Sequence, residues 1–151
     1  MQAETDIRKQ VLDWLPYGEG FCFVEELEEL TEERVVGYYQ FREDAFFYRG
    51  HFKDHPVTPG VILTECMAQI GVVCLGIYLL REQIAAGQAP GVALSSQAVD
   101  YYRPVYPGER VRVEAEREYF RFGKLKCQVA MYNEQGELVC KGSLAGMTKK
   151  L

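Results

Sequence analysis

The chain has 151 residues, of which 48% are hydrophobic and 26% charged. A chain of this length can bury a hydrophobic core as one domain without stabilisation by disulfides or a metal ion. The composition therefore excludes disorder as the main state of the chain. Its 17 basic and 22 acidic residues give a net charge of −5, and this balance argues against a general nucleic-acid binder. Five scattered cysteines without a CxxC pair predict reduced thiols, and the acidic start lacks a signal-peptide pattern, so we expect a cytoplasmic protein.

The first part of the chain predicts one helix and two strands. Apolar residues recur at helical spacing over 6–15 and stop before Pro16, which indicates a short N-terminal helix. The runs 21–24 and 34–41 are rich in aromatic and β-branched residues, and we expect them to pair as a hairpin. The acidic segment 25–31 between them fits neither a helix nor a strand pattern clearly.

A loop and then a long apolar stretch follow. Both histidines and two prolines lie within 43–59, and because proline disfavours continuous regular structure, this segment is predicted to be a structured loop. Pro59 can then begin a helix over 61–80, since a proline at the first helical position loses no hydrogen bond. That helix is apolar on almost every side, but Glu65 and Gln69 argue against a membrane span, so we expect a buried helix of a soluble protein.

The rest of the chain alternates short strand patterns with turn residues. Four strands are predicted, over 92–99, 110–119, 124–132 and 138–147. One long buried helix with about five or six strands in successive hairpins predicts an α+β architecture in which an antiparallel sheet wraps the helix. No repeat or linker divides the sequence, so residues 1–151 are expected to form a single domain.

The densest chemical pattern lies in 50–69. It contains His51-Phe52-Lys53-Asp54-His55-Pro56, Pro59-Gly60-Val61, Leu63-Thr64-Glu65 and Ala68-Gln69. This run resembles the signature of bacterial 3-hydroxyacyl-[acyl-carrier-protein] dehydratases, in which His-Phe-Pro-Gly-His-Pro precedes Pro-Gly-Val, Leu-Glu-Ala and Ala-Gln. The segment 102–109 is similar to the family's Arg-Arg-Pro-Val-x-Pro-Gly-Asp turn, and the resemblance covers nearly the whole chain. It implies a hotdog fold, a long helix wrapped by an antiparallel sheet, and a dehydratase (hydro-lyase) of the glutamate type.

Loss of water from a 3-hydroxyacyl thioester requires a base for the C2 proton, an acid for the C3 hydroxyl and a hydrogen-bond donor to the thioester oxygen. The resemblance implies that His51 is the catalytic histidine, that Glu65 is its partner carboxyl group and that the Gly60 amide polarises the carbonyl. It also implies that the Val57 carbonyl orients the imidazole. Gln69 lies one turn beyond Glu65 on the same helix face, where it is suited to orient the carboxyl group. Packing or capping is the alternative role for Val57 and Gln69.

The resemblance also implies partners. Hotdog dimers take the histidine and the carboxyl group of one site from opposite subunits, so we expect a homodimer or a higher oligomer of dimers. The substrate is then an acyl carrier protein that carries a 3-hydroxyacyl thioester. The basic residues Arg117, Arg121, Lys124 and Lys126 are suited to dock this acidic partner, although a solvated hairpin edge explains them equally well. We expect no metal, no other cofactor, no nucleic acid and no membrane span.

Other chemistries fit the sequence less well. His51 and His55 are four residues apart, as in helical zinc sites, but Pro56 disfavours a helix there, and His55 is expected to shape the loop. Cys66 follows Glu65, yet neighbouring helical side chains point about 100° apart, so we expect a small buried thiol rather than a nucleophile. The serines lie in no GxSxG elbow, which leaves a hydrolase triad without support.

Several residues depart from the family pattern. Lys53 and Asp54 stand in place of Pro-Gly, Thr58 in place of an apolar residue and Cys66 in place of alanine. None removes a reacting group, but they leave open whether the pathway is fatty acid synthesis or a specialised lipid, polyene or polyketide route.

An aromatic set that includes Tyr101 is suited to line an acyl tunnel, or to form sheet core or dimer interface. The alternative functions are a hotdog acyl thioesterase and a catalytically silent hotdog scaffold subunit.

Overall fold

The computed structural model describes residues 2–51, 53–89 and 91–148, with the backbone alone over 2–6. The helices are α1 (Gln2–Asp13), α2 (Gly60–Met67), α3 (Cys74–Leu79) and α4 (Arg81–Ala85), with a π-helical segment (Ala68–Val73) that joins α2 to α3 and 3₁₀ turns at Glu19–Phe21 and Phe46–Arg49. The strands are β1 (Glu26–Leu30), β2 (Arg34–Gln40), β3 (Ala93–Tyr101), β4 (Arg110–Arg121), β5 (Lys124–Tyr132) and β6 (Leu138–Met147). We call α2, the π-helical segment and α3 together the central helix.

The sheet wraps the central helix. Over the described residues it has six strands in the order β1-β2-β4-β5-β6-β3, and each neighbouring pair is antiparallel. In β4, the residues Val111, Val113 and Ala115 are buried, whereas Arg112 and Glu114 between them are partly exposed. Because side chains alternate along a strand, this pattern places an apolar face on the helix and a charged face outward. The predicted α+β architecture is confirmed.

The central helix lies in the middle of the core. It is long and apolar enough to cross a membrane, yet 83% of its most apolar stretch is buried inside the protein, which is typical of a core helix. A Cβ atom at Gly71 would lie 3.0 Å from the Ala115 Cβ and 3.1 Å from the Val129 Cγ2. A side chain at position 71 would therefore push the helix away from β4 and β5.

The prediction for the first hairpin was wrong. The run 21–24 is not a strand, since Glu19–Phe21 is a 3₁₀ turn, and β2 pairs instead with the acidic β1. In β1, Leu27 is buried, while Glu26 lies outward and pairs with Arg110 at 2.8 Å. A strand at the edge of a sheet needs only one apolar face, and outward charges suit it.

The later elements agree closely with the sequence predictions. The strands predicted over 124–132 and 138–147 have the same bounds as β5 and β6. The helix predicted over 61–80 lies one residue earlier at each end, with Pro59 as its N-cap. The N-terminal helix ends at Asp13, before the expected bound, and α4 was not predicted.

Candidate active site

His51 lies in the loop that precedes the central helix and is held by main-chain groups. Its Nδ1 is hydrogen bonded to the Val57 carbonyl at 3.0 Å, and the Val57 amide donates back to the His51 carbonyl at 2.9 Å. A carbonyl only accepts, so Nδ1 carries the proton in the neutral ring, and Nε2 is then the basic nitrogen. The loop thus fixes both the orientation and the tautomer of the imidazole.

Thr58 anchors the same loop to two other parts of the fold. Its amide donates to the Val105 carbonyl at 2.8 Å, and its hydroxyl is hydrogen bonded to the Tyr48 hydroxyl at 2.6 Å. Thr58 and Tyr48 are both buried. The threonine that departs from the family's apolar residue therefore has a polar partner in this chain, which offsets the cost of burying its hydroxyl.

Gly60 begins the central helix and lines the same cavity as His51. This cavity has a volume of about 350 Å³, and Val57, Leu63 and Tyr101 also line it. The first amides of a helix have no partner within the helix and lie at the positive end of its dipole. The cavity therefore combines a fixed imidazole with a helix N-terminus that can donate a hydrogen bond to a ligand oxygen.

Glu65 is half-buried, and a fully buried amide holds it. Gln69 Nε2 donates to Glu65 Oε2 at 2.9 Å and to the Phe21 carbonyl at 2.9 Å. Gln69 Oε1 accepts from the Phe23 amide at 2.7 Å. Because the Phe23 amide can only donate, it fixes which end of the Gln69 amide faces Glu65.

The segment before β1 lies close to Glu65. Tyr17 is half-buried there and its ring packs near Phe21, with centroids 6.5 Å apart. Burial raises the pKa of the Tyr17 hydroxyl well above its ordinary value, and the negative charge of Glu65 adds to this rise. Tyr17 is therefore a neutral hydroxyl on the Glu65 side of the central helix.

The predicted residues form two groups by their contacts. His51, Val57 and Gly60 meet in one cavity, whereas Glu65 and Gln69 contact each other and the segment before β1. Glu65 is not one of the described residues that line the His51 cavity. The catalytic and orienting roles of these five residues stay predictions.

The remaining chemical candidates have ordinary surroundings. His55 is exposed, and Cys66 is fully buried with its thiol donating to the Phe23 carbonyl at 3.4 Å. Burial raises the pKa of the Cys66 thiol well above its ordinary value, which suits the predicted inert thiol. Within 2–51, 53–89 and 91–148, no three His, Cys, Asp or Glu side chains are grouped so that they could hold a metal ion.

The basic residues of the β4–β5 hairpin differ in their partners. Arg117 pairs with Glu33 at 3.1 Å and Lys126 with Glu118 at 3.4 Å. The Arg121 guanidinium packs over the Tyr119 ring, 4.3 Å from its centroid. Acidic neighbours therefore reduce the positive charge along the strands more than at the turn.

Sequence reasoning missed one polar contact beside the cavity. The Tyr101 hydroxyl, at the end of β3, is hydrogen bonded to the Thr64 hydroxyl on the central helix. Tyr101 was only one member of an aromatic set in the sequence, and Thr64 stood in the motif without a predicted role. The two are 37 positions apart, so no local pattern could pair them.

Comparisons with known proteins agree with the motif. Residues 15–145 match the FabA-like domain. The chain is 32% identical over 139 residues to the 3-hydroxyacyl-[acyl-carrier-protein] dehydratase FabZ of Clostridium perfringens, a match that covers 89% of this chain and 93% of that protein. It is 34% identical over 138 residues to the FabZ of Caldicellulosiruptor bescii, again over 89% of this chain and 93% of the relative.

Solved structures agree at the level of the fold. The chain superposes on the dehydratase heterocomplex ApeI:P of Xenorhabdus doucetiae with a TM-score of 0.76 and 14% identity, over 93% of this chain and 91% of the other. Zebrafish thioesterase superfamily member 2 gives a TM-score of 0.67 and 16% identity, over 98% of this chain and 97% of the other. At such identities the likeness shows the fold alone. With a family match over most of its length and relatives above 30% identity, the chain belongs to the 3-hydroxyacyl-[acyl-carrier-protein] dehydratase family and has the hotdog fold.

Proposed function

We propose that this protein removes water from a 3-hydroxyacyl-[acyl-carrier-protein] and forms the trans-2-enoyl thioester, in fatty acid synthesis or a related specialised lipid pathway. The observation that carries the proposal is the cavity in which His51, held by the Val57 carbonyl, lies beside Gly60 at the helix N-terminus. Proton abstraction next to a thioester needs such a fixed base and a donor to the carbonyl oxygen.

In the proposed reaction, His51 accepts one proton and Glu65 donates one. His51 Nε2 takes the C2 proton, and the electrons of that C–H bond form the double bond as the C3–O bond breaks. The leaving hydroxyl takes a proton from Glu65 and departs as water. The Gly60 amide and the positive helix end stabilise the negative charge on the thioester oxygen. The proton on His51 returns to Glu65 through solvent, and the same steps run in reverse for hydration.

A second copy of the chain completes the site in this proposal. Glu65 is not among the described residues that line the His51 cavity, and we propose that the carboxyl group comes from a second copy. Along β3, the terminal strand of the sheet, most of the nine residues are exposed, and one edge has no partner strand within the described residues. Native proteins normally cover so long an edge. A homodimer paired through β3, alone or within a higher oligomer of dimers, covers it and supplies Glu65 of one copy to the cavity of the other.

The proposed partner is an acyl carrier protein in the cytoplasm. Because this chain has a net charge of −5, an acidic carrier must find a local basic patch. Arg121 and Lys124, at the β4–β5 turn, have no acidic ion-pair partner in the described part of the chain. We therefore assign the carrier contact to this turn and not to Arg117 and Lys126, which pair with acids of the same chain.

The test is turnover of carrier-bound 3-hydroxyacyl groups of graded length and unsaturation, followed by mass spectrometry as the loss of one water. We expect His51→Ala and Glu65→Gln each to lower kcat at least about 100-fold, since each removes a proton-transfer group. His55→Ala is the matched control, because His55 is an exposed histidine of the same loop, and its kcat should stay near that of the wild type.

Three outcomes contradict the proposal. Dehydration that survives both His51→Ala and Glu65→Gln would remove the assigned mechanism. Release of free thiol and acid without an enoyl product would identify the protein as a thioesterase, and a wild type without turnover on any chain length would favour a scaffold subunit.

A further inference from the structure

The Tyr101 ring lies beside Gly60, the first residue of the central helix. A Cβ atom at Gly60 would lie 3.3 Å from both Cε1 and Cζ of Tyr101, tighter than nine in ten Cβ contacts. Gly60 is not among the described glycines with a positive φ, so its backbone alone would accept a side chain. The ring, and not the backbone conformation, therefore limits the room for a side chain at position 60.

A buried hydroxyl holds this ring in place. Tyr101 is 47% exposed, and a tyrosine at a surface usually turns its hydroxyl to water. Here the hydroxyl is instead hydrogen bonded to Thr64, which is only 4% exposed and lies in the second turn of the central helix. The bond fixes the ring against the helix start and so lowers its freedom to swing into solvent.

The ring is also a wall of the cavity that His51 and Gly60 line. Opposite charges and dipoles attract more strongly where less water competes, so a ring beside the helix start that limits the approach of water would strengthen any bond that the Gly60 amide donates. We propose that Tyr101, held by Thr64, is a positioning residue that shields the Gly60 amide from water and fixes the thioester carbonyl against it. This inference rests on the proposed dehydration at the same site.

The test compares Tyr101→Phe, Thr64→Val, the double variant and Tyr101→Ala in the turnover assay. Losing one hydrogen bond should lower kcat about 3- to 10-fold in either single variant, with KM little changed. The double variant should lose no more than each single one, since both remove the same bond. Tyr101→Ala should lower kcat about 100-fold, because the amide becomes open to water. Tyr106→Phe is the control, as Tyr106 is 45% exposed and does not line this cavity.

A second measurement does not depend on dehydration. A saturated acyl-pantetheine thioester lacks the 3-hydroxyl and cannot react, and its binding is followed by calorimetry. We expect about tenfold weaker binding by Tyr101→Ala than by the wild type, and no change in Tyr106→Phe. Equal binding by wild type and Tyr101→Ala would overturn the inference, as would equal kcat in an active wild type. If the wild type dehydrates nothing, the proposed function fails, and the binding result alone decides the role of Tyr101.

Discussion

The two sides of the central helix hold their proposed catalytic groups by different means. On one side, His51 is bonded to the main chain of Val57 in both directions. On the other side, Glu65 depends on the side chain of Gln69. Substitution cannot delete a carbonyl, whereas one substitution at position 69 removes three hydrogen bonds at once. The histidine side should therefore tolerate changes in its partner, and the carboxylate side should not.

Among changes to the residues that hold His51 and Glu65, the largest expected effect is that of Gln69→Leu. It leaves the Phe23 amide and the Phe21 carbonyl without their buried partner and frees Glu65, so the free energy of unfolding should fall by about 3 kcal/mol and kcat about 100-fold. Urea denaturation and turnover measure the two effects. Gln128→Leu is the control, because Gln128 lies on the exposed face of β5, and it should change stability by less than about 0.5 kcal/mol. A Gln69→Leu protein with wild-type kcat would contradict the claim that Glu65 depends on the Gln69 side chain.

A charge reversal at the β4–β5 turn should leave the contacts of both His51 and Glu65 intact. For the double variant Arg121→Glu and Lys124→Glu, we expect kcat/KM to fall about tenfold with the carrier-bound substrate, because the acidic carrier is repelled. The same variant should turn over a small thioester analogue, which needs no carrier contact, at the wild-type rate. Equal loss on both substrates would show that the turn acts on the site itself and does not dock the carrier.

A smaller effect is expected from Thr58→Val on the histidine side. The variant leaves the buried Tyr48 hydroxyl without its partner, so stability should fall by about 1 to 2 kcal/mol. The two bonds between His51 and Val57 remain, so kcat should fall less than about tenfold. Adding Tyr48→Phe removes the orphaned hydroxyl and should restore part of the lost stability in thermal unfolding. A further loss in the double variant would contradict this explanation.

The smallest effect should come from Val57→Ala. The change keeps the carbonyl that accepts from His51, so we expect kcat within about threefold of the wild type in steady-state assays. A loss near that of Gln69→Leu would mean that the Val57 side chain, and not its main chain, orients the imidazole.

The sequence predicted contacts that are local and missed those that join distant segments. The bonds between His51 and Val57 and between Glu65 and Gln69 join residues only six and four positions apart, within one motif. The hydroxyl pair of Tyr101 and Thr64 joins a strand end to a helix, and only the folded chain brings these two together. Tertiary contacts of this kind leave no periodic signal in a single sequence.

The wrong first hairpin has the same physical origin. The run 21–24 has the aromatic and β-branched composition of a strand, but Gln69 satisfies its Phe21 carbonyl and Phe23 amide. Backbone groups that a buried side chain already pairs are not available to a strand ladder. Glu26–Leu30 takes the edge position instead, with Leu27 buried on its inner face. Composition alone could not show which segment's backbone groups the buried Gln69 side chain would pair with.

The central claim is that a second copy unites the two sides of the helix in one dehydratase site, and complementation tests it most directly. His51→Ala and Glu65→Gln chains are co-expressed, purified together and assayed with the carrier-bound substrate. If each site takes His51 from one copy and Glu65 from the other, half of the dimers keep one intact site, and activity should return to about a quarter of the wild type. If the mixture stays as inactive as either variant alone, the site is not shared between copies.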